Sequence, residues 1–231
     1  MKIKILQLLE GAKRAEGLVV IIDVFRAFTV ACHVIENGAK KIITVKDVET
    51  AFRLKDENPG YILIGERNES IVPGFDFGNH PSRISDVDFT GKTVVLTTSA
   101  GTRGIVYAAK NTDEIITGSF INAGSIVRYI RERGPDVVSL VCMGYSATCQ
   151  VEEDTFCAEY IKNALENRDS DFERMVEIIK ATSGRRFFDP ATMEHSPPED
   201  FYLCMQLNVF DFVLKVRRDE KNLLALFREN V

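Results

Sequence analysis

The sequence predicts an α/β fold: a layered α/β/α sandwich on a largely parallel or mixed sheet, with a mostly helical C-terminal appendage. Three observations carry this expectation. Short β-branched runs alternate with longer segments of helical period, the pattern of strands covered by helices on both faces. The runs LVVIID and VVSLVC are almost wholly apolar, as central strands buried on both sides require. Polar, chemically capable residues follow one strand after another, where open α/β sheets carry their ligands.

Taken in order, β-branched runs predict strands at Leu18–Asp23, Lys41–Val45, Tyr61–Gly65, Thr93–Thr98, Glu114–Thr117 and Asp136–Cys142. Between them the helical period predicts helices at Ala27–Glu36, Asp47–Lys55, Gly101–Lys110, Phe120–Glu132 and Glu153–Asn167. After residue 168 the pattern changes. FERMVEIIKAT is helical, the next stretch is broken by Pro190, Pro197 and Pro198, and the tail is of mixed character. The expected organisation is an α/β catalytic body over residues 1–168 and an appendage over 169–231 packed on that body. The two form one structural domain, because roughly 60 residues make a marginal domain by themselves.

Composition narrows the class. A chain of 231 residues with 45% hydrophobic and 27% charged residues buries a sizeable core and needs no covalent staple. A net charge of −5 argues against nucleic acid as the partner, while leaving room for a local cationic pocket. The N-terminus returns to charged residues within ten positions and has no long apolar stretch, and no run approaches the roughly 20 apolar residues of a membrane helix. The expectation is a cytoplasmic protein without a membrane partner. The five cysteines are odd in number and lack C-x-x-C spacing, which indicates reduced thiols rather than a disulfide framework or zinc knuckle. A small homo-oligomer, a homodimer, is the default assembly.

The candidate chemistry lies just after each strand. Asp23 and Arg26 follow the first, Glu66 and Arg67 the third, Thr98 to Arg103 the fourth, Ser119 and Asn122 the fifth, and Gly144 to Ser146 the sixth. Glu152, Glu153 and Asp154 open the next helix. In VVLTTSAGTRGI, hydroxyls and a glycine at a helix start offer unpaired N–H groups to an anion, and Arg103 adds a bidentate clamp. Plain helix capping by Thr98 or Ser99 is the competing explanation. Asp23, at a strand exit, suits a hard cation or a capping role. Glu66 and Arg67 read either as site residues or as a surface ion pair. The three carboxylates of EEDTFCAEYI read either as catalytic groups or as complements to the helix dipole. Walker, dinucleotide-binding, Cys-x5-Arg, paired-aspartate and G-x-S-x-G signatures are all absent. If Asp23, Glu66 and Asp154 gather on one rim with Arg26, Arg67 and Arg103, the site combines metal-binding and anion-binding groups, the set that phosphate-ester hydrolysis requires.

DVFRAFT, GER, PGFDFGNHP, TTSAGTRG, GSFINA and EEDTFCAEYI occur in this order between residues 18 and 161, and together they resemble the 2-phosphosulfolactate phosphatase family. The resemblance implies an α/β, Mg²⁺-dependent enzyme that hydrolyses (2R)-phosphosulfolactate to sulfolactate and phosphate in coenzyme M biosynthesis. Carried onto this chain, it points to Asp23, Glu66 and Asp154, which carboxylate chemistry marks as the catalytic and metal-binding residues. It implies Arg26, Arg67, Asn79, Ser99, Gly101, Thr102, Arg103 and Asn122 as substrate-binding residues, and adds Glu153 to the acidic pair. Two positions depart from the family pattern: Ala100 stands where Asn is common, and His80 where Ser is usual. They leave two alternatives open, a different phosphorylated C3 acid as substrate, or a non-enzymatic anion-binding module on the same scaffold.

Overall fold

The computed structural model describes residues 1–112 and 114–231. In chain order the elements are β1 (Lys2–Gln7), α1 (Leu8–Lys13), β2 (Leu18–Ile22), α2 (Ala27–Glu36), β3 (Lys41–Thr44), α3 (Val48–Glu57), β4 (Ile62–Arg67) and β5 (Ser70–Ile71). They continue with β6 (Thr93–Thr97), α4 (Gly101–Ala108), β7 (Ile115–Gly118), α5 (Ala123–Arg133), β8 (Val137–Cys142), α6 (Glu152–Leu165), α7 (Phe172–Ala181), α8 (Pro198–Cys204), β9 (Phe212–Arg218) and β10 (Leu224–Asn230). Local chemistry sets several ends. Asp47 caps α3 by accepting from Thr50 N at 2.8 Å, and Gly134 closes α5 in the left-handed region at φ 58°, the usual glycine terminator.

All ten strands form one mixed sheet in the order β1-β8-β2-β7-β9-β10-β3-β6-β4-β5. β1, β8, β2 and β7 run parallel to one another, as do β3, β6 and β4. The antiparallel pairings β7–β9, β9–β10 and β10–β3 join these two sets, so the second set runs opposite to the first. The sheet is thus mixed, with a parallel majority on each side.

Strand alternation sorts the core. One face of both halves, including Val19, Ile21, Ile42, Ile64, Leu96, Leu214 and Leu226, packs into a shared core with α2 and α4. The opposite face of the first half, including Val20, Ile22 and Leu140, packs on α5 and α6. That of the second half, including Ile43, Leu63 and Val95, packs on α3. Five strand-to-strand steps separate β2 from β6, and a twist of roughly 20–25° per step accumulates to more than a right angle. That rotation turns the C-terminal rims of the two opposed halves toward each other across α2 and α4.

Three parts of this sheet lie outside the sequence expectation: β1, the two-residue strand β5 and the terminal hairpin. KIKILQ forms the edge strand β1 in register with β8; its charged-apolar alternation is that of a half-covered edge. The terminal segment does carry the expected helix α7, and adds the unpredicted helix α8, but its last residues form the β9–β10 hairpin and complete the middle of the sheet. No helix among the described residues is long and apolar enough to cross a membrane.

Candidate active site

Where the two rims meet, a cavity of about 40 Å³ is lined by Asp23, Phe25, Arg26, Glu66, Glu69, Asn79, the 98–100 turn, the 144–146 turn, Glu153, Asp154 and Arg186. Its room is that of roughly three water molecules. Most of the wall residues arrive from strand exits or helix starts, and Asp23, Glu66 and Asp154 each tie two segments together.

Asp23, immediately after β2, accepts from Ala27 N at 3.2 Å and from Gly101 N at 2.9 Å, joining the β2 exit to the start of α4. Glu66, near the end of β4, accepts from Ser99 N at 2.7 Å, Ser99 Oγ at 3.1 Å and Glu69 N at 3.1 Å. Asp154, in the first turn of α6, accepts from Val24 N at 2.9 Å and Gly144 N at 2.8 Å. The anions on the unpaired amides at the start of α4 are therefore the protein's own side chains, Glu66 at Ser99 N and Asp23 at Gly101 N. Carboxylates thus occupy these two amides in place of the two partners that the sequence offers, a bound anion or a Thr98 or Ser99 side-chain cap.

Gly101 is required by this contact. A Cβ there would stand 2.8 Å from Asp23 Oδ2 and 3.0 Å from Phe28 Cζ. Gly101→Ala is expected to cost about 1–3 kcal/mol through overpacking, seen as a lower midpoint in thermal unfolding.

The rim is strongly acidic. Five carboxylates face two guanidiniums, Arg26 and Arg186, leaving a formal charge of three negatives when all are ionised. Burial pushes Asp23 up to about 6, with repulsion from Glu66 adding and the Ala27 and Gly101 amides opposing. Burial likewise pushes Glu153 up to about 7. Asp154 is raised well above the ordinary carboxylate range by burial, then by repulsion from Glu153 and Asp23. Glu153 Oε2 and Asn79 Oδ1 are buried without any hydrogen-bond donor. Two orphaned acceptors among repelling carboxylates form a hard-oxygen donor set that fits Mg²⁺, which takes one or two carboxylates and keeps water or phosphate oxygens on its other positions. Among the described residues no group of three or more His, Cys, Asp or Glu is placed to hold a metal ion.

Arg26 is held by its own network. Its Nη1 lies 2.8 Å from Asp200 Oδ2, 2.8 Å from His80 Nδ1 and 2.9 Å from His195 O. Asp200 also accepts from Ser82 N at 3.0 Å and Ser82 Oγ at 2.6 Å. Asp200 is 0% exposed and His80 4%, so the His80 departure is a buried partner of Arg26. Burial is the main reason that His80 titrates below its ordinary value, which leaves it neutral. Ala100, the other departure, presents its methyl on the cavity wall.

The structure thus brings Asp23, Arg26, Glu66, Asn79, Ser99 and Asp154 to one cavity, and leaves five other predicted residues outside its wall. Gly101 touches it only through Asp23. Thr102 is buried and exchanges hydrogen bonds with Thr98. Asn122 accepts from Ser119 N at 3.2 Å in a capping box. Arg67 points away, with Nη1 on Glu66 O at 2.6 Å and Nη2 on Thr97 Oγ1 at 2.8 Å. Arg103 lines a separate groove with Lys46 and Tyr107. The expected gathering of three arginines is corrected: of Arg26, Arg67 and Arg103, only Arg26 faces the carboxylates. The second cation is Arg186, from the 3₁₀ segment Ser183–Phe188. Sequence reasoning missed Arg186 and Glu69; the paired arginines of GRRFF were the signal, inside a stretch without usable period.

A model of the family described as 2-phosphosulpholactate phosphatase matches residues 3–219. Among similar curated proteins is the "Probable 2-phosphosulfolactate phosphatase" of Bacillus subtilis (strain 168), 33% identical over 204 residues, which span 87% of each chain. The protein of that name from Caldanaerobacter subterraneus subsp. tengcongensis is 28% identical over 215 residues, 87% of this chain and 88% of its own. One from Caldicellulosiruptor saccharolyticus is 38% identical over 149 residues, 63% of this chain and 61% of its own. The family match extends past the recognisable motifs and takes in Arg186 and Asp200.

Proposed function

The chain belongs to the 2-phosphosulfolactate phosphatase family, and on that premise we propose that it hydrolyses a small anionic phosphate ester with Mg²⁺, the best candidate being (2R)-phosphosulfolactate, giving sulfolactate and phosphate. The observation that carries this reading is the cavity where Asp23, Glu66, Glu153 and Asp154 face Arg26 and Arg186. Asp23 and Asp154 are the side chains that would hold Mg²⁺, with Glu66 offering a further carboxylate opposite Asp23. When bound, Mg²⁺ offsets the phosphoryl charge and polarises its oxygens. Arg26, oriented by Asp200 and His80, binds non-bridging phosphoryl oxygens. Glu153, at about 7, is matched to taking the proton of an attacking water at neutral pH. The water oxygen bonds to phosphorus, the P–O bond to the substrate carbon skeleton breaks, and the departing alkoxide takes up a proton.

The test is release of inorganic phosphate from (2R)-phosphosulfolactate with and without Mg²⁺. Turnover that requires the cation is expected; no release above background with Mg²⁺ present overturns the reading. A second reading, a phosphorylated C3 acid lacking the sulfonate, draws on Ala100, which lines the cavity at the position where the family resemblance leads one to expect Asn. Faster turnover of 2-phospholactate than of phosphosulfolactate would favour it.

Mg²⁺ binding has a signed pH dependence. Asp23 and Glu153 titrate at about 6 and about 7, both raised. Their protonated forms therefore favour the fold fully below the ordinary carboxylate range, and that contribution is lost as pH rises through about 6–7. The cation needs the ionised forms. Added Mg²⁺ is expected to raise the melting temperature more at about pH 8 than at about pH 5.5; equal shifts would exclude Asp23 as a ligand.

A further inference from the structure

The catalytic cavity is small, about 40 Å³, the room of roughly three water molecules. A groove of about 430 Å³ opens beside it, lined by Glu69, Tyr145, Cys149, Val151, Ser183 and Arg186. Glu69, Tyr145 and Arg186 belong to both spaces, so the two are continuous.

Arg186 stands at the junction. Its guanidinium carbon lies 5.6 Å from the ring centre of Phe25, 5.3 Å from Tyr145 and 5.2 Å from Phe187. Those rings fix its plane and exclude water from its faces, while providing no acceptor in that plane. Nη1 lies 3.3 Å from Glu69 Oε1, and Nε is buried with no acceptor at all. Glu69 sits on a two-residue turn between β4 and β5 in which Asn68 and Glu69 both have positive φ, 51° and 65°. It is held in place by its own N–H on Glu66. Arg186 thus has one long ion pair and an unused in-plane donor, a fork pre-organised for a planar or tetrahedral oxyanion.

We infer that Arg186 is a specificity-determining residue, and that the groove beside it receives the second acidic group of the substrate, a carboxylate on the carbon that bears the phosphate or a sulfonate on the carbon next to it. The inference rests on the phosphatase reading and adds to it the part of the ester that is recognised. Arg26 then serves the phosphate and Arg186 the other anion. An ester of a neutral alcohol would leave the Arg186 donor unpaired and lose the groove interaction.

The experiment compares phosphate release, with Mg²⁺ present, from two esters of similar size: 2-phospholactate, which carries a carboxylate, and isopropyl phosphate, which does not. Wild type is expected to favour the acid ester by at least roughly 10²-fold in kcat/KM. Arg186→Met keeps the stacking between rings and removes the donors; because Arg186 also lines the catalytic cavity, both esters should slow, but the acid ester should lose at least roughly tenfold more, through KM, so that most of the preference disappears. Arg186→Lys, which keeps the charge without the fork, should fall between and guards against misfolding of the first variant. An equal loss on both esters would assign Arg186 to general electrostatics or folding and overturn the inference. Hydrolysis of neither ester, nor of phosphosulfolactate, would instead remove the phosphatase reading on which it rests.

A second readout does not use turnover. Cys149 is the exposed cysteine, the other four being buried, and it lines the groove. In a Glu153→Gln background, 2-phospholactate is expected to slow alkylation of Cys149, and adding Arg186→Met to abolish that protection. Equal protection by isopropyl phosphate would count against an acid site in the groove.

Discussion

Glu153→Gln is expected to lower hydrolysis by roughly 10²–10⁴-fold while leaving the melting temperature unchanged or raised. The separation follows from what the carboxylate does in the fold. Glu153 Oε2 has no hydrogen-bond partner, so an amide there breaks no protein contact. Glu153 also repels Asp154, and neutralising it relieves that repulsion. A buried carboxylate raised to about 7 by desolvation strains the ground state, as acid–base groups at functional sites commonly do. The measurement is phosphate release beside a thermal melt. A variant that loses stability along with activity would show Glu153 to be a fold anchor like Asp154, whose two oxygens are both bound by backbone amides. Asp154→Asn is the contrasting control, since its new NH₂ would face an N–H donor.

Most of the cavity was legible because it follows from position along strands. Asp23, Glu66 and Ser99 stand at strand exits, and in α/β folds these lie on the ligand-bearing rim. Arg67 also stands at a strand exit but faces away, for a reason the alternation of a strand already contains. Glu66 and Arg67 are consecutive in β4, and successive side chains of a strand point to opposite faces. A cavity that takes Glu66 excludes Arg67. Arg103 is displaced by helix geometry, since it lies within α4 and reaches back four residues to Ser99 O at 3.4 Å. Arg186 was not legible: it sits in a short 3₁₀ segment whose place is set by packing of Phe187 and Phe201 against Phe25, contacts that no local period announces.

The β9–β10 hairpin was hidden for a different reason. Its strands are covered on both faces, with Leu214 and Leu226 in the shared core and Val213 and Ala225 in the flanking ones. No clean alternation survives such double burial, and the tail read as mixed. The turn itself is ordinary: Asp219 accepts from Lys221 N and Leu223 N, each at 2.9 Å, and Asn222 takes a positive φ of 62°. That hairpin reverses the strand direction midway across the sheet, and the reversal together with the twist is what sets the Asp23 rim against the Glu66 rim. The C-terminal segment therefore supplies both the geometry of the cavity and its second cation.

Asp200→Ala is expected to have the largest effect on stability, about 3–5 kcal/mol, or a fall of roughly 6–20 °C in melting temperature for a chain of this size. Asp200 and Arg26 are an ion pair at 2.8 Å with side-chain exposures of 0% and 3%. Removing the carboxylate leaves a buried guanidinium uncompensated and unpairs Ser82 N and Oγ as well. Burial alone would push Asp200 up, but hydrogen bonds from His80 and Ser82 and the charge of Arg26 hold it below its ordinary 3.8. A lowered carboxylate contributes its stability above the unfolded value and loses it as pH falls through the folded one. The gap between wild type and Asp200→Ala should therefore be full at neutral pH and narrow below about pH 4. A double variant, Arg26→Met with Asp200→Leu, is expected to recover much of the lost stability, because an apolar pair replaces a buried ionic one at little net cost. It should remain inactive, since Arg26 lines the cavity and no phosphate-binding guanidinium would be left beside Asp23. A double variant that melts as low as Asp200→Ala would mean that the network holds the 80–82 loop through Ser82 and His80 rather than through the ion pair.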